Sequence, residues 1–275
     1  MTQWDIEDIT PALRDSPPDR RNQVWRNWYD RLVSQLDDSD YRFMNYGYLG
    51  LESPKLEPSD EANRIFIELY QVTLGDTSLT DKDVLDISSG LGGGAYWISQ
   101  VCQPSSLVGM DFSPEVVRLC NKWYGGQHNL RFVVGDAEAL PFPDNSFDVI
   151  YNVEASHCYA NYDVFLREVF RVLKAGGVFC WSDFQSRTSM EKIETDFENC
   201  GFEIVSLDDI TDGVLRSLDS VHKAISEGKL DGKQIIWGND TESLQDVIQE
   251  FAGGRRSYHC CNLSKKNSIG SRIQR

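Results

Sequence analysis

Three things are missing or scarce in this chain of 275 residues, and each absence removes a class of function. No pair among the seven cysteines (Cys102, Cys120, Cys158, Cys180, Cys200, Cys260, Cys261) has Cys-x-x-Cys spacing, so no metal-ligand set is expected. The odd count argues against a complete disulfide framework and for reduced, buried thiols. No apolar run approaches the ~20 residues of a membrane span. The opening stretch Met1–Asp19 is acidic and polar, without the apolar core of a secretory signal, so the expected compartment is the cytoplasm. Positive charge is the third shortage: 27 Lys and Arg stand against 43 Asp and Glu, a formal net charge of −16. A surface that negative repels phosphate backbones, which argues against DNA or RNA as a partner. No basic patch marks a phosphate-bearing substrate, and there is no internal repeat or low-complexity block.

What is present reads as an ordinary globular protein, 40% hydrophobic and 25% charged. Apolar residues recur at helical steps from Arg20 to Leu36 (Val24, Trp25, Trp28, Leu32, Leu36). An aromatic, glycine-containing segment, Tyr41–Leu51, and a loop marked by Pro54 and Pro58 follow. A second helix is expected over about Asp60–Leu74, with Ser59 as N-cap. A strand–helix rhythm then begins. Strands are expected at Asp83–Ile87, Ser106–Asp111, Leu130–Val134, Phe147–Val153 and Val178–Phe184. Helices are expected at Gly93–Cys102, Ser113–Trp123 (opened by Ser-Pro-Glu) and Asp163–Leu173 (closed by Lys174-Ala175-Gly176-Gly177). Further helices are expected at Ser189–Cys200, Gly213–Glu227 and Thr241–Phe251, with strands at Phe202–Ile210 and Arg255–Ser264 and a loop at Gly228–Asp240. Such alternation indicates an α/β fold with a parallel sheet covered on both faces. The expected organisation is one domain: a helical cap (1–80), a core (81–185), later helices and strands (186–265) and a tail (266–275).

In such sheets the ligand sits beyond the carboxyl ends of the strands, at the switch point. There lies Asp86-Ile87-Ser88-Ser89-Gly90-Leu91-Gly92-Gly93-Gly94. Glycines let the backbone come close to a bulky ligand, but a glycine loop alone equally suits a nicotinamide dinucleotide or a tight turn. Asp111 closes the second strand, where a carboxylate can accept bonds from ribose hydroxyls. Gly135-Asp136-Ala137-Glu138-Ala139-Leu140-Pro141-Phe142 follows the third strand, and Ser146–Tyr151 leads into the fourth.

This ordered set, over residues 80–185, resembles the class I S-adenosylmethionine-dependent methyltransferases. Asn152-Val153-Glu154-Ala155-Ser156-His157-Cys158-Tyr159 and Met44-Asn45-Tyr46-Gly47-Tyr48 look most like small-molecule O-methyltransferases of the phthiotriolone and natural-product sugar type. The resemblance implies a Rossmann-like, doubly wound, mostly parallel seven-stranded sheet, with S-adenosyl-L-methionine as cofactor. It also implies site roles. Asp86, Ser88, Gly90 and Gly92 would shape the methionine end. Asp111 would hold the ribose, with Phe112 against the adenine. Asp136 and Ala137 would meet the adenine edge, Asn152 and Val153 would lie near the sulfonium, and Tyr46 and Tyr48 would close over the cofactor. Ser88-Ser89 and the third glycine depart from the family's usual run.

For a hydroxyl acceptor the protein must align the reactants, exclude water and take a proton. His157, just past the fourth strand, is the expected base, and its ordinary pKa suits the task. Asp183, at the end of the fifth strand, is its expected partner, either orienting the imidazole or holding the acceptor hydroxyl. Sugar O-methyltransferases of similar plan carry such a pair. The acceptor is expected to be a small, largely apolar metabolite, selected by Trp181–Arg187 and by Leu215, Leu218, Val221, Ile235, Ile236 and Trp237. N- or C-methylation and a non-catalytic cofactor-binding protein stand as alternatives.

Overall fold

The computed structural model describes residues 18–33, 36, 41–52, 55–229 and 241–266. The lead-in before Pro18, Pro54, the stretch 230–240 with Ile235, Ile236 and Trp237, and the tail beyond 266 lie outside the described residues.

Helix α1 (Pro18–Val33) comes first, then a 3-10 turn (Glu61–Asn63) running into α2 (Arg64–Leu74). The α/β unit follows as β1 (Asp83–Ile87), α3 (Gly93–Val101), β2 (Ser106–Asp111), α4 (Pro114–Tyr124), β3 (Leu130–Val134), β4 (Phe147–Val153), α5 (Tyr162–Val172) and β5 (Leu173–Ser186). The chain ends with α6 (Arg187–Cys200), β6 (Phe202–Asp209), α7 (Thr211–Ser226), α8 (Thr241–Ala252) and β7 (Arg256–Lys265). The strands form one seven-stranded sheet in the order β3-β2-β1-β4-β5-β7-β6. All neighbours are parallel except β7, which runs against both β5 and β6. This is the expected doubly wound architecture. The order reverses at β1 and β4, so the switch point lies beyond Ile87 and Val153. Because β7 is inverted, its start, Arg256, lies at the same edge as the ends of the other strands.

The strands form because their apolar residues can be buried on both faces. Val84 and Val149 face one layer with α2 and α3, while Leu85, Ile87 and Ile150 face the other with α5 and α6. The local signals work largely as expected. Ser113 caps α4, accepting from Val116 N–H at 3.1 Å, with Pro114 behind it. Gly201, at φ +101°, closes α6. Two expectations fail. Ser59 does not cap the second helix: its hydroxyl turns to Asp60, and the α-helical part begins only at Arg64, after the 3-10 turn. Lys174–Gly177 does not end before a strand but belongs to β5, because Leu173 already pairs with Phe147. Lys174 then bridges Asp83 (2.9 Å) and Asp148 (2.8 Å) at the far end of the sheet from the site.

The cap is fastened by aromatic packing. Phe43 stacks on Phe66 at 5.7 Å, and Tyr70 of α2 meets Tyr151 of β4 edge-on at 6.2 Å. This packing explains the extra glycine. A Cβ on Gly93 would strike the Arg42 carbonyl, and one on Gly94 would enter the Tyr70 ring.

Candidate active site

Beyond β1 the backbone turns sharply, with φ of +60° at Ser88, +52° at Gly90 and +76° at Gly92. Ser88 holds this left-handed conformation without being glycine, an unfavourable geometry that tends to mark functional loops. Its hydroxyl is fixed by Tyr159 OH at 2.7 Å, and Tyr159 in turn accepts from Asn152 Nδ2 at 2.9 Å. Asn152 Nδ2 also donates to the Ile87 carbonyl at 2.8 Å, tying β4 to β1 across the switch point. Asp111 is clamped from both sides: Gly90 N–H donates to Oδ2 (3.0 Å) and Ser113 N–H to Oδ1 (2.9 Å). Burial lifts its pKa to about 6, against the pull of those N–H groups.

The loop and the strand ends bound an open cleft of about 870 Å³, solvent at its mouth included. Of the expected cofactor residues, Ser88, Gly90, Asp111, Phe112, Asp136, Ala137 and Val153 line it. Tyr46, Tyr48, Asp86, Gly92 and Asn152 stand outside it. Gly92 packs against Phe132 and Cys120, and the Tyr48 ring lies on Gly213 of α7. Asp86 is buried behind the loop, where burial raises its pKa well above the ordinary carboxylate range. Six further lining residues come from the cap: Trp25, Arg26 and Tyr29 of α1, Tyr70 of α2, with Arg42 and Met44. Sequence periodicity placed Trp25 on a helix without saying what its ring would face. Its neighbour Arg26 lies over the Phe112 ring at 5.5 Å, which brings α1 across the mouth.

Glu154 is the site residue that sequence reasoning passed over. It faces the cleft, has φ +52°, and is only 4% exposed. Tyr46 N–H donates to both of its oxygens (3.1 and 2.9 Å), and Tyr258 OH donates to Oε2 (3.0 Å). One carboxyl group thus joins the cap, β4 and β7. Burial pushes its pKa to about 8, against the pull of the Tyr46 N–H, the His157 charge and the Tyr258 hydroxyl. The signal in the sequence was an acid directly after β4, at the edge of the sheet where ligands of this fold gather.

His157 and Asp183 do meet. His157 Nδ1 lies 2.8 Å from Asp183 Oδ1, and His157 N–H donates to Oδ2 at 2.9 Å. Ser156 Oγ (2.6 Å) and Phe184 N–H (2.8 Å) complete the set of donors on this fully buried carboxylate. Trp181 Nε1 fixes Ser156 in turn, at 2.9 Å. Neither His157 nor Asp183 lines the cleft directly. The imidazole stands just behind its wall, 4.3 Å from the Phe184 ring and 6.4 Å from Trp25. Burial lowers the imidazole pKa, but the Cys158 sulfur and the Asp183 carboxylate outweigh it, and the net shift is well above the ordinary value.

The expected selectivity residues move. Trp181, Leu218 and Val221 are buried core, and Leu215 packs against it. They shape the site only through the elements they hold.

Residues 85–181 match a family model described as a methyltransferase domain. The chain is 40% identical over 202 residues to a phthiotriol/phenolphthiotriol dimycocerosates methyltransferase of Mycobacterium leprae, covering 72% of this chain and 74% of that one. It is 35% identical over 238 residues to a fatty-acid O-methyltransferase of Mycolicibacterium smegmatis, covering 84% and 82%. Among solved structures, the cyclase SpnF superposes with a TM-score of 0.70 at 19% identity, covering 90% of this chain and 96% of that one. A geranyl diphosphate C-methyltransferase from Streptomyces coelicolor A3(2) gives 0.63 at 13% identity, covering 86% and 98%. At those identities the superpositions speak for the fold alone; a cyclase and a methyltransferase share it.

Proposed function

Since the chain belongs to the S-adenosylmethionine-dependent methyltransferases, we propose that it methylates a hydroxyl group on a small, largely apolar, lipid-like acceptor. His157 is the base and Asp183 the group that positions it. The pairing of His157 with a fully buried, four-donor carboxylate beside the cleft carries this reading. The named substrates of the similar enzymes, dimycocerosate lipids and fatty acids, support a lipid-like acceptor.

The cleft suits the cofactor on its own chemistry. Ser89 Oγ is buried at the cleft wall with no partner among the described residues. Two carboxylates, Asp111 and Asp136, stand where donors such as ribose hydroxyls and an exocyclic amine need acceptors. Ser88, Ser89 and Gly90 would hold the methionine end, Asp111 and Phe112 the ribose and adenine, and Asp136 and Ala137 the adenine edge. S-adenosylmethionine supplies an activated methyl group on a sulfonium.

The remaining work falls to the chain. With Nδ1–H donating to Asp183, the proton-free Nε2 of His157 is available to the acceptor hydroxyl, whose proton it takes as the oxygen–carbon bond forms. Asp183 steadies the imidazolium that results. Trp25, Tyr29 and Met44 close the cleft from the cap side and exclude water. Cytoplasmic placement accompanies this reading, supported by seven free cysteines, which suit a reducing compartment. Among the described residues no helix is long and apolar enough to cross a membrane.

The test is transfer of labelled methyl from S-adenosylmethionine to aliphatic and phenolic alcohols. His157→Ala is expected to lower kcat by roughly 10²–10⁴ while S-adenosylhomocysteine still binds. Full turnover in that variant would remove His157 from the chemistry.

A further inference from the structure

Glu154 stands in the wall of the cleft, and the chemistry proposed above does not use it. Along this edge of the sheet the expected adenine contacts follow β3, the ribose contact closes β2, and the methionine contacts follow β1. The next strand in the sheet is β4, so Glu154, directly after Val153, comes at the reactive end of that row. Its backbone is at φ +52°, a conformation that favours glycine. A carboxyl group is held there all the same. Its own N–H donates to the Ser182 carbonyl at 2.8 Å, and its side chain is gripped by Tyr46 and Tyr258.

This carboxyl has donors but no cation. The Tyr46 N–H and the Tyr258 hydroxyl are both neutral. The His157 imidazole forms its ion pair with Asp183, and Glu154 has no ion pair among the described residues. The titratable groups around it are Tyr29 of α1, Tyr46 of the cap, Tyr70 of α2, Tyr258 of β7, Asp183 of β5 and His157. Burial holds the four phenols above their ordinary pKa, so they stay neutral near pH 7. His157 and Asp183 together carry no net charge when the imidazole is protonated. An ionised Glu154 is therefore a buried, uncompensated negative charge, and such a group tends to keep its proton.

The missing positive charge is the one the cofactor brings. S-adenosylmethionine has a sulfonium cation at its reactive end, and its product, S-adenosylhomocysteine, has a neutral thioether. We infer that Glu154 is the counter-charge for that cation: its carboxyl releases a proton to solvent as the cationic cofactor binds, and takes one back once the sulfur is neutral. Over one turnover Glu154 loses one proton and regains one, so the single proton released overall is the acceptor's. Binding of the cation and ionisation of Glu154 are linked, so each strengthens the other. The neutral product gains no such help, and the site favours substrate cofactor over product. The inference rests on the cofactor placement proposed above and holds whichever acceptor atom is methylated.

The test is calorimetric titration of the full chain with S-adenosylmethionine, S-adenosylhomocysteine and sinefungin, which carries an ammonium in place of the sulfonium. Each titration is run in phosphate and in Tris, because the dependence of the binding heat on the buffer gives the number of protons released. With its pKa lifted to about 8, Glu154 is roughly nine-tenths protonated at pH 7. The two cationic ligands should therefore release close to one proton more than S-adenosylhomocysteine. Their affinity relative to the product should also rise by up to about tenfold per pH unit between about pH 6.5 and 8. Glu154→Gln should abolish the extra proton and weaken both cations against the product by at least about tenfold at pH 8. His157→Ala should keep the extra proton, which separates Glu154 from the other titrating group beside it. Equal proton counts for substrate and product in the wild type, or an extra proton that survives in Glu154→Gln, would overturn the inference. Asp111→Asn controls for the cofactor placement and should weaken all three ligands alike. Unchanged affinities in that variant would overturn the placement and the inference with it. Equal proton counts with that control intact would remove the role of Glu154 alone.

Discussion

Replacing Glu154 by glutamine should change how stability depends on pH. Glu154 is nearly inaccessible and accepts three hydrogen bonds, yet burial outweighs them and lifts its pKa from 4.5 to about 8. Between those values the folded chain holds a proton that the unfolded chain has released. Stability therefore falls as pH rises, by about 1.36 kcal/mol per unit, and the loss is complete above pH 8. Across the whole window this group costs the wild type at most about 5 kcal/mol. Glutamine has the shape of the protonated acid and never ionises. Its amide oxygen can accept from Tyr46 or Tyr258, so the variant should match the wild type near pH 5 and exceed it near pH 8.5. Asp111, with a pKa of about 6, adds its own slope, but equally in both proteins. The assay is urea unfolding of both at half-unit steps from pH 5 to 8.5. Parallel curves would refute the argument and show that Glu154 is ionised, and adequately solvated, throughout.

Three other perturbations have clear outcomes. Because Cys158 and Asp183 outweigh burial and raise the His157 pKa, kcat/KM should climb with pH through the imidazole's ionisation. Asp183→Asn should move that rise to lower pH; a profile flat from pH 6 would argue against a histidine base. Asp111→Asn should weaken S-adenosylhomocysteine binding by about 1–3 kcal/mol, and wild-type affinity should fall as pH drops through about 6, where the carboxylate is lost; calorimetry measures both. Gly94→Ala drives a methyl group into the Tyr70 ring, which also lines the cleft, and should destabilise the fold by about 1–3 kcal/mol in thermal or urea melts.

The strands of the α/β core and several residues lining the cleft were legible in the chain because they depend on short-range rules. Apolar runs that can be buried on both faces make parallel strands, and the loop after β1 falls at the switch point whatever covers it. Ser88, Gly90 and Asp111 fall at that edge, the resemblance to the methyltransferases added Asp136 and Ala137, and all five line one cleft. The pairing of His157 with Asp183 was legible for a similar reason: β4 and β5 are neighbours, and each residue stands near its strand's end. What could not be read was everything set by the cap. Tyr46 meets Glu154 across 108 residues of chain, Tyr48 packs on Gly213 of α7 outside the cleft, and α1 brings Trp25 and Tyr29 to the cleft. Gly92, expected as a cofactor contact, packs against Phe132 and Cys120, while Gly93 and Gly94 leave room for Arg42 and Tyr70 to dock. Periodicity reports which face of an element is apolar, not which other element covers it. Only the packed structure decides whether an aromatic residue fills the core or walls the site, and whether a buried carboxyl such as Glu154 keeps its proton.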